Sequence, residues 1–180
     1  YNTFANNFYV PTVTDPAGKR AIKTFLNGPY TIGPNETAPN FTTLTAAAAA
    51  LNDAGVNGPV QFLLQSDYTG AGETYPITIN QYPGGSAVNN LQIRPNTGAT
   101  VAMSGSGTAI FKLNGADNVT IDGSNNGSST KNLTITNTST SSSAVIWVAS
   151  IGGAGNGANN NTLKNLVIRG GSSTSTTIYG

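Results

Sequence analysis

Asn90-Leu91-Gln92-Ile93-Arg94, Asn118-Val119-Thr120-Ile121-Asp122, Asn132-Leu133-Thr134-Ile135-Thr136 and Asn165-Leu166-Val167-Ile168-Arg169 are four copies of one motif, Asn-[Leu/Val]-x-Ile-polar. In extended chain, residues two apart point to the same side, so each copy is a short strand with one apolar face. Asn tolerates left-handed backbone and bonds its own chain, which suits a corner before each strand. Short strands repeated between polar corners predict a solenoid, in which a turn buries its inner face only by stacking on the next.

Working outward, strands are expected at Val60–Leu64, Ile77–Ile79, Leu91–Ile93, Val101–Met103, Ala109–Leu113, Val119–Ile121, Leu133–Ile135, Val145–Val148, Leu166–Ile168 and Thr177–Tyr179, separated by Gly, Asn, Ser and Thr. A longer period overlies the motif. Ala109–Leu113 leads to the Asn118 copy, and Ala144–Val148 leads to the Asn165 copy. The first strands are 35 residues apart and the second 47, so an insertion is expected, with the glycine-rich 151–161 segment as its place. On this reading Leu133–Ile135 is the third strand of one coil and Thr177–Tyr179 its partner in the next. The fold class is all-β: a right-handed, three-sided parallel β-helix.

Before the strands, Phe41, Leu44, Ala47, Ala48 and Leu51 fall on one helical face, within a run of alanines of high helix propensity. Thr42 or Thr43 can cap the N-terminus and Gly55 the C-terminus. A helix over about 42–53 is therefore expected, lying across the first turn and covering core that would otherwise be open. The chain divides into an irregular extension over 1–30, a capping segment over 31–58 and coils over 59–180, continuing beyond 180. In the extension, Lys19, Arg20 and Lys23 form the one basic cluster, a solvated loop or a contact for an anionic partner.

Composition narrows the function. Asn, Gly, Ser and Thr make up 85 of 180 residues, and charged residues only 8 %. The net charge is +1, with no basic run to bind nucleic acid. No stretch approaches the ~20 apolar residues of a membrane span. The sequence contains neither Cys nor His, which removes disulfides, the Ser-His-Asp triad and His-bearing metal sites. No cofactor is expected.

The stretch Gly28-Pro29-Tyr30-Thr31-Ile32-Gly33, then Phe41, Leu44 and the alanines, then Leu51 to Val60, resembles the start of the pectin-lyase-like parallel β-helix domains in large secreted proteins of Bacteroidota. Asn118 to Gly123 followed by Leu133 to Asn137 is similar to them as well, so the resemblance covers roughly residues 28–180. It implies a pectin-lyase-like fold and export, commonly by type IX secretion. Enzymes of that fold gather carboxylates on one face or around calcium. Of the seven carboxylates here, only Asp117 and Asp122 share a coil, ~17 Å apart on an extended strand, too far for a catalytic pair. Asp122 beside Gly123 reads as a turn residue bonding its own corner.

The function expected is a secreted or cell-surface structural or adhesive solenoid, part of a larger adhesin-like protein. The alternatives are the non-catalytic start of a polysaccharide-degrading enzyme, or a glycan-binding module. Candidate glycan contacts are Tyr68, Tyr75 and Tyr82, spaced by seven and able to stack sugars or equally to pack against the cap, with Arg94 and Arg169, which share a motif position. Lys131 and Lys164 precede two motif copies, and with the arginines they read either as solubilising residues or as an anionic-glycan stripe. Expected partners are surface glycans or cell-surface and secretion proteins. The last strand is expected to pair with further coils or end to end with another copy, because an uncovered edge templates assembly. Asn before strands read as corners, and rows of Asn stacked on successive coils could form amide ladders.

Overall fold

The structure, a computed structural model, describes residues 24–141, 143–171 and 178–179. The basic cluster at Lys19, Arg20 and Lys23 lies outside them, as does most of the expected irregular extension. The elements in chain order are β1 (Leu26–Ile32), α1 (Leu44–Ala54), β2 (Val56–Leu64), β3 (Ile77–Asn80), β4 (Leu91–Pro95), β5 (Val101–Gly105), β6 (Phe111–Asn114), β7 (Val119–Asp122), β8 (Leu133–Asn137), β9 (Ser143–Ala144), β10 (Ile146–Ala149), β11 (Thr162–Lys164), β12 (Leu166–Arg169) and β13 (Ile178–Tyr179).

These strands stack in parallel as a β-solenoid. One side is the five-stranded sheet β1-β2-β4-β7-β11. A second is β3-β6-β10, a third is β5-β8-β12, and β9 with β13 makes a short fourth segment. The chain winds from the five-stranded sheet through the third side to the second and then begins the next coil. Its aliphatic residues stack in files: Val60 on Leu91 on Val119, Val101 on Leu133 on Leu166, and Ile77 on Phe111 on Ile146.

The period-two reading sets the inward face correctly in three motif copies. Leu91, Ile93, Val119, Ile121, Leu133 and Ile135 are fully buried. Gln92, Thr120 and Thr134 between them are partly exposed. Each buried aliphatic contributes about 1.5–3 kcal/mol relative to exposure. The motif Asn supplies the first rung of the ladder: the Asn90, Asn118 and Asn132 carbonyls accept from Val60, Leu91 and Val101. Asn118 and Asn165 take the left-handed conformation, at φ 59° and 56°, but Asn90 and Asn132 do not.

Four expectations need correction. The Asn165 copy does not stack on the Asn118 copy. β12 pairs with β8, so Leu166 lies on Leu133, and the strand following β7 on its sheet is β11, Thr162–Lys164. Thr177–Tyr179 is not the partner of Leu133–Ile135, for β13 pairs with β9. The insertion between β10 and β11 does fall within the glycine-rich segment, and near-identical motif copies hid the change of side. Residues 26–30, expected to be irregular, belong to β1, where Pro29, which lacks an N–H, is tolerated on an edge strand. Among the described residues stacked Asn pair once, Asn114 donating to Asn80 (2.9 Å), and no row of Asn runs on as a ladder; another coil-to-coil amide bond runs from Gln61 to Gln92 (2.8 Å).

The cap helix is present as expected. Thr43 accepts from the Ala46 N–H at 3.1 Å, and Gly55, at φ 74°, closes the end by donating to Leu51. Leu44, Ala47, Ala48 and Leu51 are buried, while Phe41 is partly buried and packs edge-on against Phe62. The helix contacts β1, β2 and, most extensively, β3. It occupies the place where a preceding strand would pair with β3. Asn52 satisfies that edge, its side chain donating to the Thr78 carbonyl and accepting from the Asn80 N–H, both at 2.9 Å.

Candidate functional site

Chemistry-bearing side chains are few, and the structure first shows what they hold together. Glu73, on the loop between β2 and β3, reaches the N-terminus of α1. Its carboxylate accepts from the N–H groups of Leu44 and Thr45 (2.6 and 2.7 Å), the Thr45 hydroxyl and the Tyr68 hydroxyl. An anion at a helix N-terminus meets unpaired N–H donors and the positive end of the macrodipole. Tyr68 is buried, and its phenol is pushed far above the ordinary range by burial first and by Glu73 second.

The five candidate glycan contacts do not converge. Tyr68 and Tyr82 are core residues, 2 % and 5 % exposed, with Tyr82 at the wall of a hollow of about 390 Å³ shared with Gln81, Pro83 and Asp117. Tyr82 donates to the Asp117 carbonyl at 3.1 Å, and its phenol is pushed up to about 12, by burial and by the Asp117 charge. Tyr75 is partly buried and packs on the glycine backbone of β5, where a Cβ on Gly105 would lie 2.1 Å from the ring. Its hydroxyl donates to Gly70 at 2.9 Å, and burial with the nearby Glu73 charge pushes it up to about 12. The tyrosines thus fasten the loops around the cap. Arg94 lies on the five-stranded sheet and donates to the Pro95 and Asn125 carbonyls, whereas Arg169 is exposed on β12. Their shared motif position puts them on different sides, so they make no stripe.

Asp122 and Asp117 are both engaged in coil-to-coil contacts. Asp122 is 1 % exposed; one oxygen accepts from the Ser124 N–H (2.9 Å) and from Asn165 (2.8 Å), and the other lies 3.2 Å from the Lys164 ammonium. Burial pushes this carboxyl up, but the bonds from Asn165, Ser124 and Lys164 outweigh it and hold the group below its ordinary value. Asp117 accepts from the Asn159 N–H of the following coil. Among the described residues, no three His, Cys, Asp or Glu side chains gather as metal ligands. The loop over Gly152–Gly157 bonds to itself through Asn156, consistent with an insertion loop.

Two kinds of surface remain. The outer face of the five-stranded sheet carries an uncharged trough of about 290 Å³ lined by Pro29, Pro59, Gln61, Asn90, Gln92 and Thr120. Such an outward row of amides and hydroxyls offers donors and acceptors without charge. On the outer face of the β3-β6-β10 sheet, the sole Trp of the sequence, Trp147, is 45 % exposed with the Lys112 ammonium 4.6 Å from its ring centroid.

The second kind is the end of the stack formed by β10, β11 and β12, each the outermost strand of its sheet. Val148, Leu163 and Ile168 sit in the inward files of Leu113, Ile121 and Ile135, which are fully buried one coil earlier, yet are 48 %, 42 % and 37 % exposed. Ile151 beside them is 49 % exposed. The motif puts Ile168 in register with the buried Ile135, but its pattern carried no information on whether anything covers it. Glu73, Asn52 and the Gln61–Gln92 pair were missed; a lone Glu five residues after a Tyr carries no local signal of a helix cap 28 residues earlier.

No helix among the described residues is long and apolar enough to cross a membrane. No protein-family model, curated protein or solved structure matches the chain. What the described residues and their geometry establish is a parallel β-solenoid, nearly all β among those residues, with one short helix near its N-terminal end.

Proposed function

We propose that this chain is a structural and adhesive β-solenoid that works outside the cell or on its surface. The observation that carries the reading is how its few functional side chains are used. Glu73, Asp117, Asp122, Tyr68, Tyr75 and Tyr82 tie coils, loops and cap together, while the broad outer face of the five-stranded sheet presents uncharged amides and hydroxyls. Such a construction makes a stiff element that holds surfaces apart and contacts partners through many weak hydrogen bonds. The sequence resemblance to secreted β-helix proteins of Bacteroidota supports the same location.

A second reading, a glycan-binding module, draws on the trough lined by Gln61, Gln92 and Thr120 and on exposed Trp147. The test is to treat intact producing cells with an external protease or antibody and to measure adhesion of the purified chain to polysaccharide-coated surfaces. Accessibility on intact cells together with saturable adhesion supports the proposal. A chain confined to the cytoplasm overturns it.

A further inference from the structure

We infer that the trough on the outer face of the five-stranded sheet binds an uncharged polysaccharide in extended form, running across the strands with one sugar on each coil. The inference deepens the glycan-binding reading and rests on it, adding the place, the charge and the direction of the bound chain.

The first argument is register. Pro29, Gln61, Gln92, Thr120 and Thr162 are successive partners on β1, β2, β4, β7 and β11, so they form one file that crosses the sheet. Gln61, Gln92 and Thr120 at its centre are partly exposed and stand on strands that are paired along both edges. Neighbouring strands lie ~4.8 Å apart. That step is close to the advance of one pyranose in an extended β-linked glycan, so each sugar in turn meets a side chain of the file.

The second argument is hydrogen bonding. The Gln61 Nε2 donates to the Gln92 Oε1 at 2.8 Å, which holds both side chains in place. Among the described residues, the Gln61 Oε1, the Gln92 Nε2 and the Thr120 hydroxyl find no protein partner. Together they offer an acceptor, a donor and a group that is both, which suits the hydroxyls of a sugar. Because the two amides already fix each other, ordering them on binding costs less entropy. Pro29 and Pro59 are exposed along the trough and give the C–H face of a sugar an apolar surface.

The third argument is charge. No ionisable residue lines the trough. Arg94, on the same sheet, already donates to the Pro95 and Asn125 carbonyls, and Lys164 is paired with the buried Asp122. A uronate or sulfated chain would give up hydration with no cation in the file to replace it. An extended peptide would need free strand edges for its main chain, and those of β2, β4 and β7 are all taken.

The test is equilibrium binding of the 180-residue chain to surfaces coated with hydroxyethylcellulose or galactomannan (uncharged and extended), with polygalacturonate (charged) or with gelatin (a polypeptide). Saturable binding to an uncharged glycan, about tenfold tighter than to polygalacturonate or gelatin, is the expected result. Gln92→Ala and Thr120→Ala should each weaken it by about 3- to 10-fold, the loss of one hydrogen bond. Gln92→Glu can still accept from Gln61 but replaces the free donor by a charge, and should weaken binding at least as much while urea unfolding stays native-like. Trp147→Ala, on another sheet, should leave binding unchanged. Binding that survives all three trough variants overturns the inference; if Trp147→Ala then abolishes it, the glycan-binding reading stands with its site elsewhere. Equal or tighter binding to polygalacturonate overturns the choice of an uncharged chain, and equal or tighter binding to gelatin overturns it in favour of a polypeptide. Failure to bind any of the polysaccharides overturns both the inference and the reading beneath it.

Discussion

Replacing Glu73 by Ala should detach the helical cap from the solenoid. In the intact chain the carboxylate accepts from two helix N–H groups, the Thr45 hydroxyl and the Tyr68 hydroxyl. Loss of the carboxylate leaves the buried Tyr68 O–H without its acceptor, which costs about 1–3 kcal/mol. The two helix N–H groups lose a charged acceptor near the positive end of the dipole, about 1 kcal/mol each. The N-terminal turn is partly exposed, so water recovers some of that second contribution. The net effect is a loss on the order of 3–4 kcal/mol, which for a chain of this size lowers Tm by roughly 10 °C. Glu73→Gln keeps the shape but presents an amide to facing donors, and should fall between Ala and the native residue. Thr43→Ala removes only the ordinary cap and should cost about 1 kcal/mol. Urea unfolding followed by far-ultraviolet circular dichroism and by Trp147 fluorescence reads the helix and the last coils separately. If Glu73→Ala costs no more than Thr43→Ala, the carboxylate is not what anchors the helix and the reasoning fails.

Three further outcomes are expected. Leu51→Ala, at a fully buried helix position, should cost about 2–5 kcal/mol in urea unfolding; a loss under 1 kcal/mol (about the cost of a small surface change) would show that the helix does not close the core. Tyr68, Tyr75 and Tyr82 all hold their protons above the ordinary tyrosine range. The unfolded chain releases them near pH 10, so their stabilisation is complete below pH 10 and, for Tyr75 and Tyr82, is lost as pH climbs through about 12. Tyr82→Phe should make that alkaline loss shallower, and stability that stays flat from pH 9 to 12 would contradict the burial of these phenols. Gly123→Ala should displace β12, since a Cβ there would lie 1.8 Å from the Asn165 carbonyl oxygen; backbone against backbone leaves no side chain to yield. Native-like Trp147 fluorescence and unchanged unfolding would show that the two coils are not so closely apposed.

Much of this fold is local information. Alternation of Leu, Val and Ile with polar residues fixes which side chains face inward, because a strand has a period of two whatever it pairs with. Thr43, the alanine run and Gly55 define a helix in the same local way. Composition alone narrows the chemistry, since a sequence without His or Cys lacks the commonest catalytic base and the thiolate.

What the tertiary structure decided is which strand lies on which. The Asn118 and Asn165 copies look alike, but a coil is counted by its winding, and an insertion between β10 and β11 moved the Asn165 copy onto the side of β8. No local period records that shift, because stacking is a contact between residues a whole coil apart. The same holds for Glu73 on the helix N-terminus, Asn52 on the edge of β3, and Tyr68 and Tyr82, candidates for sugar stacking that instead lie in the core. Inward-facing is a property of the strand; buried is a property of the coil above it, and so Ile135 is closed while Ile168, at the same position in its motif, is open.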